Sequence, residues 1–318
     1  MTDLKPKVSI IGCGSVGMRY AYALMLKGVV RQIVLVDVDR RRLEGEVMDL
    51  SHGAPYISPV EIIGGDYPDI RDSDLVVITA GKKHKPGQTR LDMAKDNAEL
   101  YKKIIPEIVS HAPSAILLVV SNPVDVLSYA AYKLSGKPAK EVIGSGTVLD
   151  TARLRFLLST HCQIDPRNVH AYILGEHGDS EFPVWSRAMI GGVLFKDYCL
   201  ICKNASTCKH DEELDKIFIE VRDSAYRIVE RKQETSYGIG LALVRITQAI
   251  MNDEKAVLPV SSLVQDYLGI NDVYLSLPAV IDRKGVREVL KIELESEEKE
   301  AFKNSADAIK RVIKETGL

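Results

Sequence analysis

Long apolar runs are lacking: stretches such as residues 115–120 stop far short of the roughly 20 residues that a membrane-spanning helix requires. The N-terminal lysines are followed by an apolar run, residues 8–11, that halts at Gly12 and is too short for the core of a secretion signal. An excess of charge of either sign is lacking too. Lys and Arg number 42 against 44 Asp and Glu, a net of −2, which offers nucleic acid no overall electrostatic match. Cysteines are few and odd in number, five, which without an export signal points to reduced thiols and a cytoplasmic location. Internal repeats, low-complexity tracts and flexible linkers are absent. What remains is an ordinary globular composition, 46% hydrophobic and 27% charged, over 318 residues, enough for one large or two fused domains.

The first half alternates β-rich runs with helical patterns. Residues 7–11, 32–37, 60–64, 75–80, 115–121 and 142–144 read as strands, nearly continuous apolar runs of the kind covered on both faces. Helices are expected over 15–27, 39–50 and 91–111, the last with a kink or break at Pro106. This is the signature of a doubly wound parallel α/β sheet. The second half is less regular, with helices expected over 147–159, 212–230, 238–252 and 297–315 and β-rich segments at 169–174, 256–263 and 272–281. The pattern divides the chain into a dinucleotide-binding domain, residues 1–145, and a mixed α+β catalytic domain, residues 146–318.

Gly12, Gly14 and Gly17 form a G-x-G-x-x-G pattern that follows the first strand and opens the first helix, with Ser15 and Val16 at the helix start. The first glycine permits the turn, the second lets backbone approach a pyrophosphate, and the third lets helix pack on strand. Asp37, twenty residues past Gly17, stands where a carboxylate binds the adenosine ribose hydroxyls and repels a 2′-phosphate, so the cofactor expected is NAD. Arg40, Arg41 and Arg42 read as a solvated helix start. Gly175-Glu-His177-Gly-Asp179-Ser180 follows a strand, and in an NAD enzyme a histidine there becomes the candidate for the proton that accompanies hydride transfer.

GCGSVG, KPGQTRLD, SNPVD, GSGTVLDTARLR, LGEHGDSEFPVWS and ETSYGIG, in this order and spacing, resemble the L-lactate/malate dehydrogenase family over essentially the whole chain, and the histidine motif resembles the lactate branch more than the malate branch. The resemblance implies a Rossmann sheet and a reaction between NAD(H) and a small 2-oxo/2-hydroxy acid, most simply pyruvate and L-lactate. It assigns His177 as general acid/base, Asp150 as its carboxylate partner, and Arg90 as the loop arginine that polarises the substrate carbonyl. It further assigns Arg153 to the substrate carboxylate, Asn122 to a place beside nicotinamide and substrate, and Thr235 to the substrate pocket. Arg155 and His170 match an anion site that, in bacterial members, binds fructose 1,6-bisphosphate between subunits of a homotetramer.

One position departs from the family. Where lactate enzymes typically carry glutamine and malate enzymes arginine, this chain has His84, beside Gln88 in place of the common glutamate. A neutral imidazole would act as glutamine does; a protonated one would welcome a second carboxylate. Malate dehydrogenase, or a broader L-2-hydroxy acid dehydrogenase, is therefore the alternative activity. A non-catalytic NAD-binding sensor is disfavoured by the joint presence of His177, Asp150, Arg153 and Arg90. No metal is assigned to the active site, and Cys199-x-x-Cys202 with Cys208 and His210 reads as loop thiols rather than a zinc site.

Overall fold

The computed structural model describes residues 6–82, 90–201 and 210–317, with the side chains of Arg90, Leu200, Ile201, His210 and Asp211 outside the description. Six parallel strands, β1 (Lys7–Ile11), β2 (Gln32–Val36), β3 (Glu61–Gly65), β4 (Leu75–Ile78), β5 (Ile116–Val119) and β6 (Val142–Gly144), lie in the order 3-2-1-4-5-6. The strand order reverses between β1 and β4, the next strands being added on the opposite side of β1. The crevice at the carboxyl ends of the strands around such a switch is where doubly wound sheets bind ligands. The helices linking them are α1 (Ser15–Lys27), α2 (Arg40–His52), α3 (Arg90–His111) and α4 (Val124–Ser135).

Alternation along each strand builds two cores. Val8, Ile10, Ile33, Leu35, Leu75 and Val77 face one layer, and Ile11, Val34, Val36, Val76 and Ile78 face the other. Both faces are apolar because both are covered, which explains the uninterrupted apolar runs in the sequence. Helix α3 runs through Pro106 without a break, so of the expected kink or break the break does not occur. Pro106 sits on the exposed side, opposite Ile105 and Ile108, where water can bind the carbonyl deprived of its donor.

The second half begins with α5 (Val148–Cys162). The expected strand over 169–174 is two, β7 (Val169–His170) and β8 (Ile173–Leu174), in different sheets: β8 pairs with β9 (Phe182–Pro183), and β7 with β10 (Met189–Ile190), which also pairs with β11 (Val193–Leu194). The break falls at Ala171, whose carbonyl accepts from Arg155 Nε at 3.1 Å instead of from a strand. Then come α6 (Phe195–Ile201), α7 (His210–Lys232), α8 (Tyr237–Met251), β12 (Ala256–Val264), β13 (Val273–Asp282), β14 (Gly285–Val289) and α9 (Ser296–Thr316). Strands β12 to β14 do not form a sheet of their own. They extend the parallel sheet to nine strands through antiparallel pairing of β12 with β6 at Ser261 and Gly144. No described helix is long and apolar enough to cross a membrane.

Candidate active site

The glycine loop is held from three sides. Gly12 N–H donates to the Val36 carbonyl at 2.8 Å, Thr79 Oγ1 donates to the Gly12 carbonyl, and Cys13 N–H donates to Asp37 Oδ2 at 2.6 Å. Gly12 has φ +99°, and a Cβ on it would lie 2.5 Å from Ala80 N, so the loop after β1 touches the loop after β4 at the switch point. A Cβ on Gly17 would strike the Gly12 carbonyl, so helix and strand meet backbone to backbone. Gly14 differs: a Cβ there would meet nothing within 4 Å, and this residue caps α1 with its face open. A tight turn closed by Gly12 and Gly17, an open Gly14, and helix-start amides from Ser15 and Val16 suit a pyrophosphate. Asp37 spends one lone pair on each oxygen, to Cys13 N–H and to Asp39 N–H at 2.9 Å, and keeps others for hydroxyls. Next to it Val38 is 99% exposed, an apolar surface that a purine ring would cover. Arg40 pairs with Asp66 and the Gly65 carbonyl, and Arg42 with Glu46 at 3.2 Å, so both have protein partners in place of a 2′-phosphate. The chain therefore fits NAD. Burial, then the charge of Asp37, pushes the Cys13 thiol up to about 12, consistent with a packed, unreactive residue.

The second half of the site is built on the first turns of α5. Thr147 at its start donates through its hydroxyl to the Ile173 carbonyl and through its amide to Ser276 Oγ, and Thr151 Oγ1 accepts from Ile173 N–H. These bonds fix β8 against the helix. Beyond β8, Gly175 takes φ +88° and exchanges backbone hydrogen bonds with Ser276 of β13. His177 is thereby set over Asp150: its Nδ1 lies 2.6 Å from Asp150 Oδ2, while Arg153 Nη1 donates to Asp150 Oδ1 at 2.8 Å. Asp150 is 1% exposed; the His177 side chain is 27% exposed. Burial disfavours a charged imidazole, but the adjacent Asp150 carboxylate more than offsets it and pushes His177 up to about 9. Burial likewise works against ionised Asp150, yet the imidazolium, its hydrogen bond and Arg153 hold it below the ordinary carboxylate range.

The structure brings His177, Asp150 and Arg153 into contact and gathers Gly12, Gly14, Ser15, Val16, Gly17 and Asp37 in one loop cluster. Asn122 follows β5, its carbonyl accepting from Asn97 Nδ2 at 2.9 Å. Thr235 is half-buried just before α8, in a segment whose Glu234 accepts from Ser15 of the glycine loop. Arg155 points away from Asp150, toward the Ala171 carbonyl and the Tyr172 ring, and His170, which precedes Ala171 in the chain, is exposed. Arg90 opens α3; its side chain, like that of His210, and all of His84, Gln88, Cys202 and Cys208 lie outside the described residues.

Three supporting residues escaped sequence reasoning. Asp125 of α4, buried, accepts His177 N–H at 2.8 Å and Ser261 Oγ–H at 2.6 Å, so it holds the histidine's backbone against β12. Asn97 of α3, buried, accepts Lys82 N–H at 2.7 Å and donates to Asn122, tying the loops after β4 and β5. Glu181 is 6% exposed, and one donor or acceptor atom from each of Glu181, His177 and Asp150 falls within 4.8 Å of the others. SNPVD was the available signal for Asp125 and LGEHGDSEFPVWS the one for Glu181; Asn97 carries none.

Comparison with known proteins agrees with this geometry. Residues 6–144 match the lactate/malate dehydrogenase NAD-binding domain, and residues 147–317 match the lactate/malate dehydrogenase alpha/beta C-terminal domain. The chain is 50% identical over 308 residues to an L-lactate dehydrogenase of Kosmotoga olearia, covering 96% of this chain and 95% of that one. It is 48% identical over 312 residues to an L-lactate dehydrogenase of Thermoanaerobacter pseudethanolicus, covering 98% and 99%. Among solved structures, a lactate dehydrogenase from a Medee basin deep-sea metagenome library superposes with TM-score 0.93 at 46% identity, covering 98% of this chain and 99% of that one. The minor L-lactate dehydrogenase of Enterococcus mundtii, in a ligand-bound form, gives TM-score 0.93 at 39% identity, with 98% of each chain covered. The chain belongs to the lactate/malate dehydrogenase family.

Proposed function

We propose that the chain is an NAD-dependent L-lactate dehydrogenase that interconverts pyruvate and L-lactate, the terminal step of a fermentative glycolysis in the cytoplasm. The observation that carries this is the His177–Asp150 hydrogen bond at 2.6 Å, with Arg153 on the same buried carboxylate. Residues 1–145 hold the cofactor, through Gly12, Gly14, Ser15, Val16, Gly17, Asp37 and Asn122; residues 146–318 supply most of the chemistry. Bound NADH supplies the hydride. Asp150 fixes the imidazole so that Nδ1 donates to it and Nε2 carries the transferable proton, which goes to the substrate oxygen during reduction and returns during oxidation. Arg153 presents a planar fork to the substrate carboxylate, and its Nη1 bond to Asp150 sets the plane of that fork. Arg90 polarises the 2-oxo group as it gains alkoxide character, Thr235 lines the pocket, and His84 meets the far end of the substrate.

An NADH-oxidation assay with pyruvate, oxaloacetate and 2-oxobutyrate tests this. Pyruvate is favoured at about pH 8, where an imidazole of ordinary pKa, about 6.5, is neutral. The oxaloacetate-to-pyruvate ratio of kcat/KM rises toward about pH 6 as His84 gains a counter-charge for the second carboxylate. Oxaloacetate preferred throughout would assign the malate activity instead, and a ratio independent of pH would remove His84 from the pocket.

We further propose a homotetramer whose pyruvate affinity rises with fructose 1,6-bisphosphate. Its support is Arg155, turned away from the active site to the carbonyl of Ala171, the residue that follows the exposed His170.

A further inference from the structure

Glu181 stands out among the buried groups that the reaction does not use. It is 6% exposed, yet among the described residues its carboxyl makes no hydrogen bond. One of its oxygens lies within 4.8 Å of a ring nitrogen of His177 and a carboxylate oxygen of Asp150, the two side chains that handle the proton. Phe182, the next residue and the start of β9, packs into the apolar core and fixes the backbone beside the carboxyl.

We propose that Glu181 is a positioning residue for the His177–Asp150 pair, a second carboxyl that yields its own proton before the imidazolium does and so keeps His177 protonated into alkaline solution. This deepens the lactate dehydrogenase reading and rests on it. The charged and titratable groups around Glu181 are Asp150 and Arg153 from α5, His177 and Glu176 from its own loop, Asp125 from α4 behind His177, and Arg222 from α7 at the surface. Burial first, then Asp150, pushes Glu181 up to about 9, so it is a neutral acid at neutral pH. His177 titrates in the same range, raised by Asp150 and in part by Glu181. Two groups this close lose their protons as a pair. One state with a single proton fewer keeps the imidazolium and ionises Glu181, and the attraction between the two charges favours it. Without an ionisable group at position 181, the proton lost in that range must come from His177.

The test compares the wild-type enzyme with Glu181→Gln, which keeps shape and removes the titration, and with Glu181→Met, of similar volume, should Gln fold poorly. Two readouts are taken: the alkaline limb of kcat/KM for pyruvate reduction, and the titration of His177 by NMR with labelled imidazoles, assigned through His177→Asn. In both variants the alkaline limb and the His177 midpoint move to lower pH by roughly half a unit or more, as expected for loss of a charge within about 5 Å. Turnover at pH 7, where Glu181 is neutral, stays within about twofold, small beside the factor expected for a lost proton donor. Coincident His177 titrations in wild type and variants overturn the proposal, as does a loss of activity that is uniform across pH. If the wild type does not reduce pyruvate, the functional reading fails, while the NMR midpoint still decides the role of Glu181.

Discussion

At the scale of single residues, the site depends on which charges are buried and what holds them. His177, Asp150 and Arg153 were legible in the sequence because each lies in a long motif and their chemistry needs one another. Asp125 lies in the SNPVD motif, yet its role was not legible, although it touches His177 directly: it acts on a backbone N–H, and no residue type announces that. Its environment makes a prediction. Burial pushes Asp125 up to about 7, against the lowering effect of bonds from Ser261 and His177. A folded-state pKa above the unfolded value means stability that is full below about pH 4 and lost as pH rises through about 7. Asp125→Asn, neutral at every pH and able to accept from His177 N–H while donating to Ser261, escapes that loss. Its melting temperature relative to wild type therefore improves between about pH 5 and about pH 8. A difference constant over that range would show that Asp125 stays ionised in the fold.

At the scale of elements, the parallel strands were legible because strands covered on both faces are apolar throughout, and α1 because its spacing and its closing Gly28 are local signals. Helix α4 was not read from the sequence, and every residue from Val124 to Ala131 is buried, so its first two turns show no solvent-facing side. The split of 169–174 into β7 and β8 depends on Arg155 reaching Ala171 from another element, which no local pattern records. The glycine loop offers a sharper test, because its glycines serve different ends. Gly12→Ala places a Cβ 2.5 Å from Ala80 N at φ +99°, and such a strained site costs about 1–3 kcal/mol of stability. Gly14→Ala meets no protein atom within 4 Å, so its stability stays near wild type, while the methyl intrudes where pyrophosphate would lie and weakens NADH on the order of tenfold, about 1.4 kcal/mol. Calorimetry together with NADH fluorescence titration separates the two. A Gly14→Ala enzyme with unchanged NADH affinity would place the pyrophosphate elsewhere.

At the scale of the whole molecule, one sheet of nine strands joins the two halves through a contact between residues more than a hundred positions apart, and no sequence pattern marks that join. Its consequence is a rigid seat: β13 fixes Gly175 through Ser276, β12 fixes Asp125 through Ser261, and both converge on His177. The proposed regulation belongs to this scale as well. Light scattering is expected to give a tetramer, and pyruvate saturation curves to shift to lower concentration with fructose 1,6-bisphosphate in wild type but not in Arg155→Gln; superimposed wild-type curves would end the regulatory proposal. The central claim, that the His177–Asp150 pair carries the proton in an NADH-dependent reduction, is tested most directly by the pH dependence of kcat/KM for pyruvate in wild type and Asp150→Asn. Reduction needs the imidazolium, which Asp150 sustains against burial, so the wild-type profile is level through neutrality and falls above about pH 9. Without the carboxylate the same limb moves down toward or below the ordinary histidine value of about 6.5, and activity at neutral pH falls roughly 10²–10⁴-fold with NADH affinity intact. Profiles that fall at the same pH in both enzymes would contradict the account.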